Sequence, residues 1–240
     1  MSAMSITILY EDNHLIAVDK PAGQLTQRDK TGKPALLDEV KAFIKERDQR
    51  PGNVFIGLLH RLDRPVSGVI LFAKTSKGAA RISQQIRERT ISKTYEALVE
   101  GTPPAGGTVR QWLVKDKVNN RVHAYNKQMP GGLYAELKFQ RLTTSIFRNI
   151  EVKNEQGLNQ ISRVEIKPLT GRPHQIRVAM ASLGTPILGD KRYGAKQKWQ
   201  KDYIALHATA LAFDHPITQE RIEVRSEPNG FSTGKNANID

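Results

Sequence analysis

The sequence predicts an α+β fold with a largely antiparallel, mixed sheet and flanking helices. Three observations lead there. Apolar runs of strand length outnumber segments of helical periodicity. From Lys93 onward, strand-like runs follow one another across short turns. Three segments carry apolar residues at helical spacing.

The elements follow in order. Ile6–Tyr10 and His14–Val18 read as two strands around the turn Glu11-Asp12-Asn13. Lys20-Pro21-Ala22-Gly23 breaks the pattern, and Gln24 to Pro34 is polar and loop-like. Leu36, Val40, Phe43 and Ile44 mark a helix over Leu36–Arg47, ended by Pro51-Gly52. Val54–Leu59 is strand-like, His60 to Gly68 is a polar interruption, and Val69–Ala73 is a continuous apolar run that suits a buried strand. Ser76 is placed as the N-cap of a helix reaching about Arg89.

Past Lys93, Tyr95, Ala97 and Val99 share one face of a strand. Further strands are expected near Val109–Val114, Arg121–Tyr125 and Leu133–Leu142. A polar hairpin tip is expected over Lys153–Asn159, then a strand over Ile161–Ile166. Gly171 to Leu183 returns to helix, capped by Thr170, with Pro173 in its first turn. Ile176, Ala179, Met180 and Leu183 form its apolar stripe, and Gly184 closes it. Ala205–Phe213 and Arg221–Val224 make a last hairpin about His215-Pro216. No linker divides the chain, so residues 1–228 are expected as one domain and 229–240 as a fraying polar tail.

Composition narrows the function. Lys and Arg number 37 against 24 Asp and Glu, a formal net charge of +13. Such an excess favours a polyanionic partner, because each phosphate contact releases a counterion. The basic residues are spread along the chain, which argues against a membrane-binding helix. With no cysteine there is no disulfide, thiolate metal site or thiol nucleophile. The six histidines show no close pair at metal-ligand spacing, and no nucleotide-binding loop is present. Neither a metal nor a cofactor is expected. No leader or spanning segment is apparent, so a cytoplasmic, monomeric protein is expected.

Three segments carry the chemistry. In His60-Arg61-Leu62-Asp63-Arg64-Pro65-Val66-Ser67-Gly68, an acid sits inside an otherwise basic loop between apolar runs. By itself this also fits a solvated turn with Asp63 paired to Arg61 or Arg64. In Thr170-Gly171-Arg172-Pro173-His174-Gln175-Ile176-Arg177, Arg177 flanks the apolar stripe and shares a face with His174. From there it can reach a carboxylate on a neighbouring loop, or stand as an exposed cation. In Lys93-Thr94-Tyr95, an inward tyrosine can stack on a base or simply fill a core.

In this order and separation, the three segments resemble the RluA family of pseudouridine synthases. The resemblance extends to Ile8-Leu9-Tyr10-Glu11-Asp12, Lys20-Pro21-Ala22-Gly23, Gly184-Thr185-Pro186-Ile187-Leu188-Gly189-Asp190, Tyr193-Gly194 and Leu206-His207-Ala208, so nearly the whole chain is covered. Val66 and Pro173 stand where the family usually has threonine. The chain is expected to start directly in the catalytic domain, without the N-terminal RNA-binding module of many relatives.

The resemblance implies the pseudouridine synthase fold and isomerisation of uridine in structured RNA. The RNA is expected to be ribosomal or transfer RNA, with a slight lean to the large ribosomal subunit. Asp63 would be the essential carboxylate, as nucleophile or as base toward the ribose. Arg177 would be its cationic partner. Tyr95 would stack on the uracil and assist proton removal from C5. Arg61 would hold or replace the flipped base. Lys20, Arg172 and His174 join it as substrate-binding candidates, as does His60, which is read first as a hydrogen-bonding residue that orders the loop. Two rivals stand beside this reading. A binding-only RNA protein would not need Asp63 in a basic loop, and a glycosidase would need a second acid, for which Glu96 and Glu165 are available.

Overall fold

The computed structural model describes residues 6–29, 32–49, 51–147 and 159–231. The chain forms two compact units, Met1–Lys93 with Ala208–Glu227, and Thr94–His207 with Pro228–Asp240. Eleven strands and three α-helices among the described residues make it α+β, as expected.

The first unit is built on strands β1 (Ile8–Glu11), β2 (Leu15–Lys20), β3 (Gly57–Leu58) and β4 (Ser67–Ala73), with helices α1 (Leu36–Arg47) and α2 (Ser76–Glu88). The β1–β2 turn is tied by Asp12, whose carboxylate accepts from the His14 N–H at 2.6 Å and the Leu15 N–H at 2.7 Å. β2 pairs antiparallel with β4, from Leu15↔Ala73 to Lys20↔Gly68. Alternation then sorts the side chains. Leu15, Ala17, Val69 and Leu71 face one way and pack with Ile82 of α2. Ile16, Val18, Ile70 and Phe72 face the other way and pack with Leu36, Val40 and Ile44 of α1. A helix on each face explains why Val69–Ala73 reads as an unbroken apolar run rather than an alternating one.

Two local expectations shift. α2 is capped by Thr75, not Ser76: the Thr75 hydroxyl accepts from the Gly78 N–H at 3.1 Å, three residues on, where a capping side chain reaches. Of Val54–Leu59, only Gly57–Leu58 pairs as a strand. Gly68 sits at φ +112°, and a Cβ there would lie 2.3 Å from the Ala208 carbonyl oxygen. The chain therefore leaves the polar loop through a position that only glycine fits. Strands β10 (Leu206–Asp214) and β11 (Arg221–Arg225) form the last hairpin as expected.

The second unit is a run of antiparallel partners. β5 (Ser92–Glu100) pairs with β9 (Asn159–Pro168), β9 with β8 (Leu133–Phe147), β8 with β6 (Gly106–Asp116), and β6 with β7 (Arg121–Tyr125). Helix α3 (Gln175–Ser182) packs Val178 against Leu113, Val122, Ala135 and Tyr193. The hairpin tip expected at Lys153 lies outside the described residues. So does the tail from Ser232 on, but Phe231 does not fray. It is buried, with its ring edge-on to Trp199 and His207.

α3 starts at Gln175, later than Gly171. Thr170 does not cap it: its hydroxyl accepts from the Glu136 N–H and donates to Gln175 Oε1, both at 2.9 Å. His174 takes the cap position in a left-handed conformation, φ +53°. The apolar stripe is also not what sets the helix's orientation. Every residue from Gln175 to Met180 is buried, so periodicity alone does not pick a face.

Candidate active site

In the first unit, the polar loop between β3 and β4 is held by its backbone. The Thr26 hydroxyl accepts from the Leu62 N–H at 3.3 Å and donates to the Leu62 carbonyl at 3.0 Å. On the other flank, the Gly23 N–H donates to the Arg64 carbonyl at 2.7 Å, and Arg64 Nε returns to the Gly23 carbonyl at 3.0 Å. The Val66 N–H closes a turn onto the Asp63 carbonyl at 3.0 Å, and Leu62 and Val66 are buried beneath. Asp63 itself is half-buried, while Arg61 and Arg64 are exposed.

Two further candidates serve this loop from below. Lys20 is 0% exposed, and its ammonium donates to the carbonyls of Pro21 (3.0 Å), Gln24 (2.9 Å) and Arg64 (3.3 Å). Burial lowers its pKa to about 7, against the pull of Asp63 and then Asp19 toward the charged form. Lys20 thus ties the Lys20-Pro21-Ala22-Gly23 turn to the Asp63 loop and places a partial positive charge behind that carboxylate. His60 Nε2 accepts from the Leu71 N–H at 3.0 Å. Burial, then the charge of Lys93, lowers its pKa to about 3, so the ring is neutral at physiological pH. Its hydrogen bond orders the loop against β4, in keeping with the first reading of this residue.

In the second unit, Arg177 is buried, not merely flanking. It meets Asp190 in a bidentate pair, Nε to Oδ2 at 2.7 Å and Nη2 to Oδ1 at 2.8 Å, with Asp190 1% exposed. Its guanidinium carbon lies 5.1 Å from the centroid of the Tyr193 ring. The Tyr193 hydroxyl accepts from the Val122 N–H at 2.9 Å and sits 2.7 Å from His174 Nδ1. Burial is the main reason its pKa is raised. His174 and Arg177 therefore do converge, but on Tyr193, with His174 just outside the helix. Arg172 Nε donates to the Tyr134 carbonyl of β8 at 3.0 Å. Tyr95 is half-buried on β5, opposite Ile166, and the three residues Ala97–Val99 beyond it are buried.

Asp190 and Tyr193 are the residues that sequence reasoning passed over as players. The signal was present in Gly189-Asp190 and Tyr193-Gly194. Gly189, at φ +83°, brings the turn within 2.3 Å of the Tyr203 carbonyl for any added Cβ, which fixes Asp190 under α3. The second acids that a glycosidase would need are engaged elsewhere, Glu96 with Arg163 and Glu165 with Lys167. Among the described residues, no group of three or more His, Asp or Glu is placed to hold a metal ion, and no helix is long and apolar enough to cross a membrane.

Comparison with known proteins identifies the family of the chain as a whole. The family model described as RNA pseudouridylate synthase matches residues 14–182. A protein named ribosomal large subunit pseudouridine synthase C from Buchnera aphidicola is 35% identical over 228 residues, 90% of this chain and 65% of that one, so the chain spans just under two thirds of that relative. A protein named tRNA pseudouridine synthase C from Vibrio vulnificus is 32% identical, covering 92% of this chain and 90% of that one. Human RNA pseudouridylate synthase domain containing 4 shares the fold, with a TM-score of 0.73 at 23% identity over 94% of this chain and 89% of that one. The chain belongs to the RNA pseudouridylate synthase family, enzymes that isomerise uridine to pseudouridine in RNA.

Proposed function

We propose that this protein isomerises specific uridines in large-subunit ribosomal RNA or transfer RNA, with Asp63 as the catalytic carboxylate. The observation that carries the proposal is the immobilised loop: Asp63 sits half-buried between two flanks, each pinned by backbone hydrogen bonds to Gly23–Thr26. A loop held in this way presents a carboxylate without having to order it when substrate arrives.

In this reading the target nucleotide leaves its stack, at a cost of a few kcal/mol that stacking and phosphate contacts offset. The C1′–N1 bond breaks with Asp63 acting at the sugar or on its proton. The uracil turns, C5 bonds to C1′, the proton on C5 is lost to solvent and N1 takes up a proton, so uridine and product have the same atoms. Tyr95 stacks on the base and assists that proton's departure. Arg61 holds or replaces the flipped base. Arg177, oriented by Asp190, is the cation that this reading assigns to the reaction. Lys20 acts through the loop as a positioning residue. Exposed lysines and arginines hold phosphates without reading sequence.

The test is tritium release from 5-tritiated uridine in ribosomal and transfer RNA transcripts, wild type against Asp63→Ala. Release by the wild type and its loss in the variant are expected, and the responding transcript names the substrate. Tight RNA binding by both proteins with no release from either would leave only a binding protein.

A further inference from the structure

Two buried or half-buried lysines of the first unit are held by partners. Lys20 has three carbonyls and feels Asp63 and Asp19, and Lys74 meets Glu11 and the Asp12 carbonyl. Lys93 differs. It is half-buried at the start of β5, and burial alone disfavours its charge, with no acid pulling the other way. Among the described residues its ammonium has no hydrogen-bonding or ion-pairing partner. Its charge is nevertheless felt by His60, the residue that anchors the Asp63 loop to β4, so the ammonium lies close to that loop. His60 is kept neutral there, which spares the pair a repulsion.

A desolvated cation without a counter-ion costs stability, and sites that keep one are characteristically sites whose ligand brings the opposite charge. The position along β5 says what that ligand is. Lys93 and Tyr95 are two apart on one strand, so they share a face with Cα atoms about 6.6 Å apart, roughly the reach of one nucleotide. A strand whose base stacks on Tyr95 places an adjoining phosphate within range of the lysine.

We propose that Lys93 binds a backbone phosphate of the RNA beside the target nucleotide and so positions the strand over the Asp63 loop. The inference rests on the reading of Asp63 and Tyr95 given above and adds a phosphate contact to it.

The experiment compares wild type, Lys93→Met, Lys93→Arg and Asp63→Asn in binding a labelled oligouridylate across a range of salt. Loss of one phosphate contact lowers the slope of log affinity against log salt by roughly 0.7 for a single strand. Lys93→Met is expected to show that lower slope and to bind about tenfold more weakly. Lys93→Arg is expected to keep the slope, and Asp63→Asn to bind like the wild type. An unchanged slope in Lys93→Met overturns the proposal, whatever its affinity, because a merely structural lysine would not change counterion release. If that variant fails to fold, the wild type is acetylated with and without oligouridylate. Protection of Lys93 by the RNA supports the contact, and equal labelling overturns it. Absence of tritium release from any RNA by the wild type, with Lys93-dependent binding intact, would sink the enzymatic reading and leave the phosphate contact standing.

Discussion

The Asp63 loop and the Arg177–Asp190 pair are built on opposite principles. The loop is fixed through its main chain: Thr26, Gly23, Lys20 and His60 all bind backbone groups, and the charged side chains of Arg61 and Arg64 are left exposed. The helix-borne pair is fixed through its side chains, two full charges removed from water and closed on each other over an aromatic ring. A loop that presents a half-buried carboxylate gains from a rigid backbone. A guanidinium that must point one way gains from a planar partner that its fork matches. The contrast teaches where each region is fragile: many modest bonds share the loop, whereas the pair leans on its bidentate contact.

Substitutions can break or sharpen that contrast. The largest effect is expected from Asp190→Ala, which takes the bidentate acceptor away from the buried Arg177 guanidinium. Urea unfolding should show a loss of about 3–5 kcal/mol. A loss below 1 kcal/mol would mean that Arg177 finds water or another acid, and the contrast would collapse. Thr26→Val removes one donor and one acceptor from the buried Leu62 backbone and should cost about 1–3 kcal/mol. It should also lower kcat by more than it raises KM for RNA, since the loop's geometry rather than its charge is changed. A rise in KM alone would count against the backbone-held loop.

The smallest effect is His60→Gln, expected to cost about 1 kcal/mol at neutral pH through the Leu71 N–H. Its value lies in its pH dependence. The folded pKa of about 3 lies below the ordinary histidine value, so the unfolded chain binds the proton more readily. His60 therefore contributes stability that is fully present above about pH 6.5 and is lost as pH falls toward 3. Unfolding curves of wild type and variant should converge on acidification through that window. Parallel curves would show that His60 titrates normally.

Much of this was legible beforehand. α1 runs over Leu36–Arg47 as its periodicity indicated, because its apolar residues face a single sheet. α3 was less legible. With all residues from Gln175 to Met180 buried, no polar face marks its orientation, and its start moved because Thr170 and Gln175 bind Glu136 of β8 instead of closing a capping bond. The cap of α2 moved by one residue for a local reason, since Thr75 and Ser76 are equally good capping types and only the backbone conformation chooses between them.

The sequence by itself determined the α+β class, the family, the Asp63 loop and the sites of the main turns. These depend on short-range pattern: apolar period, glycine where φ is positive, and an acid among bases. The tertiary structure alone decided that Arg177 meets Asp190 over Tyr193, that Lys20 is wholly buried under the loop, and that Lys93 is desolvated without a counter-ion among the described residues. Each of these is a matter of burial and of which charges meet across the fold. Neighbouring residues in a sequence do not reveal how much water a side chain keeps, and desolvation sets what a charge costs and what it must be paired with.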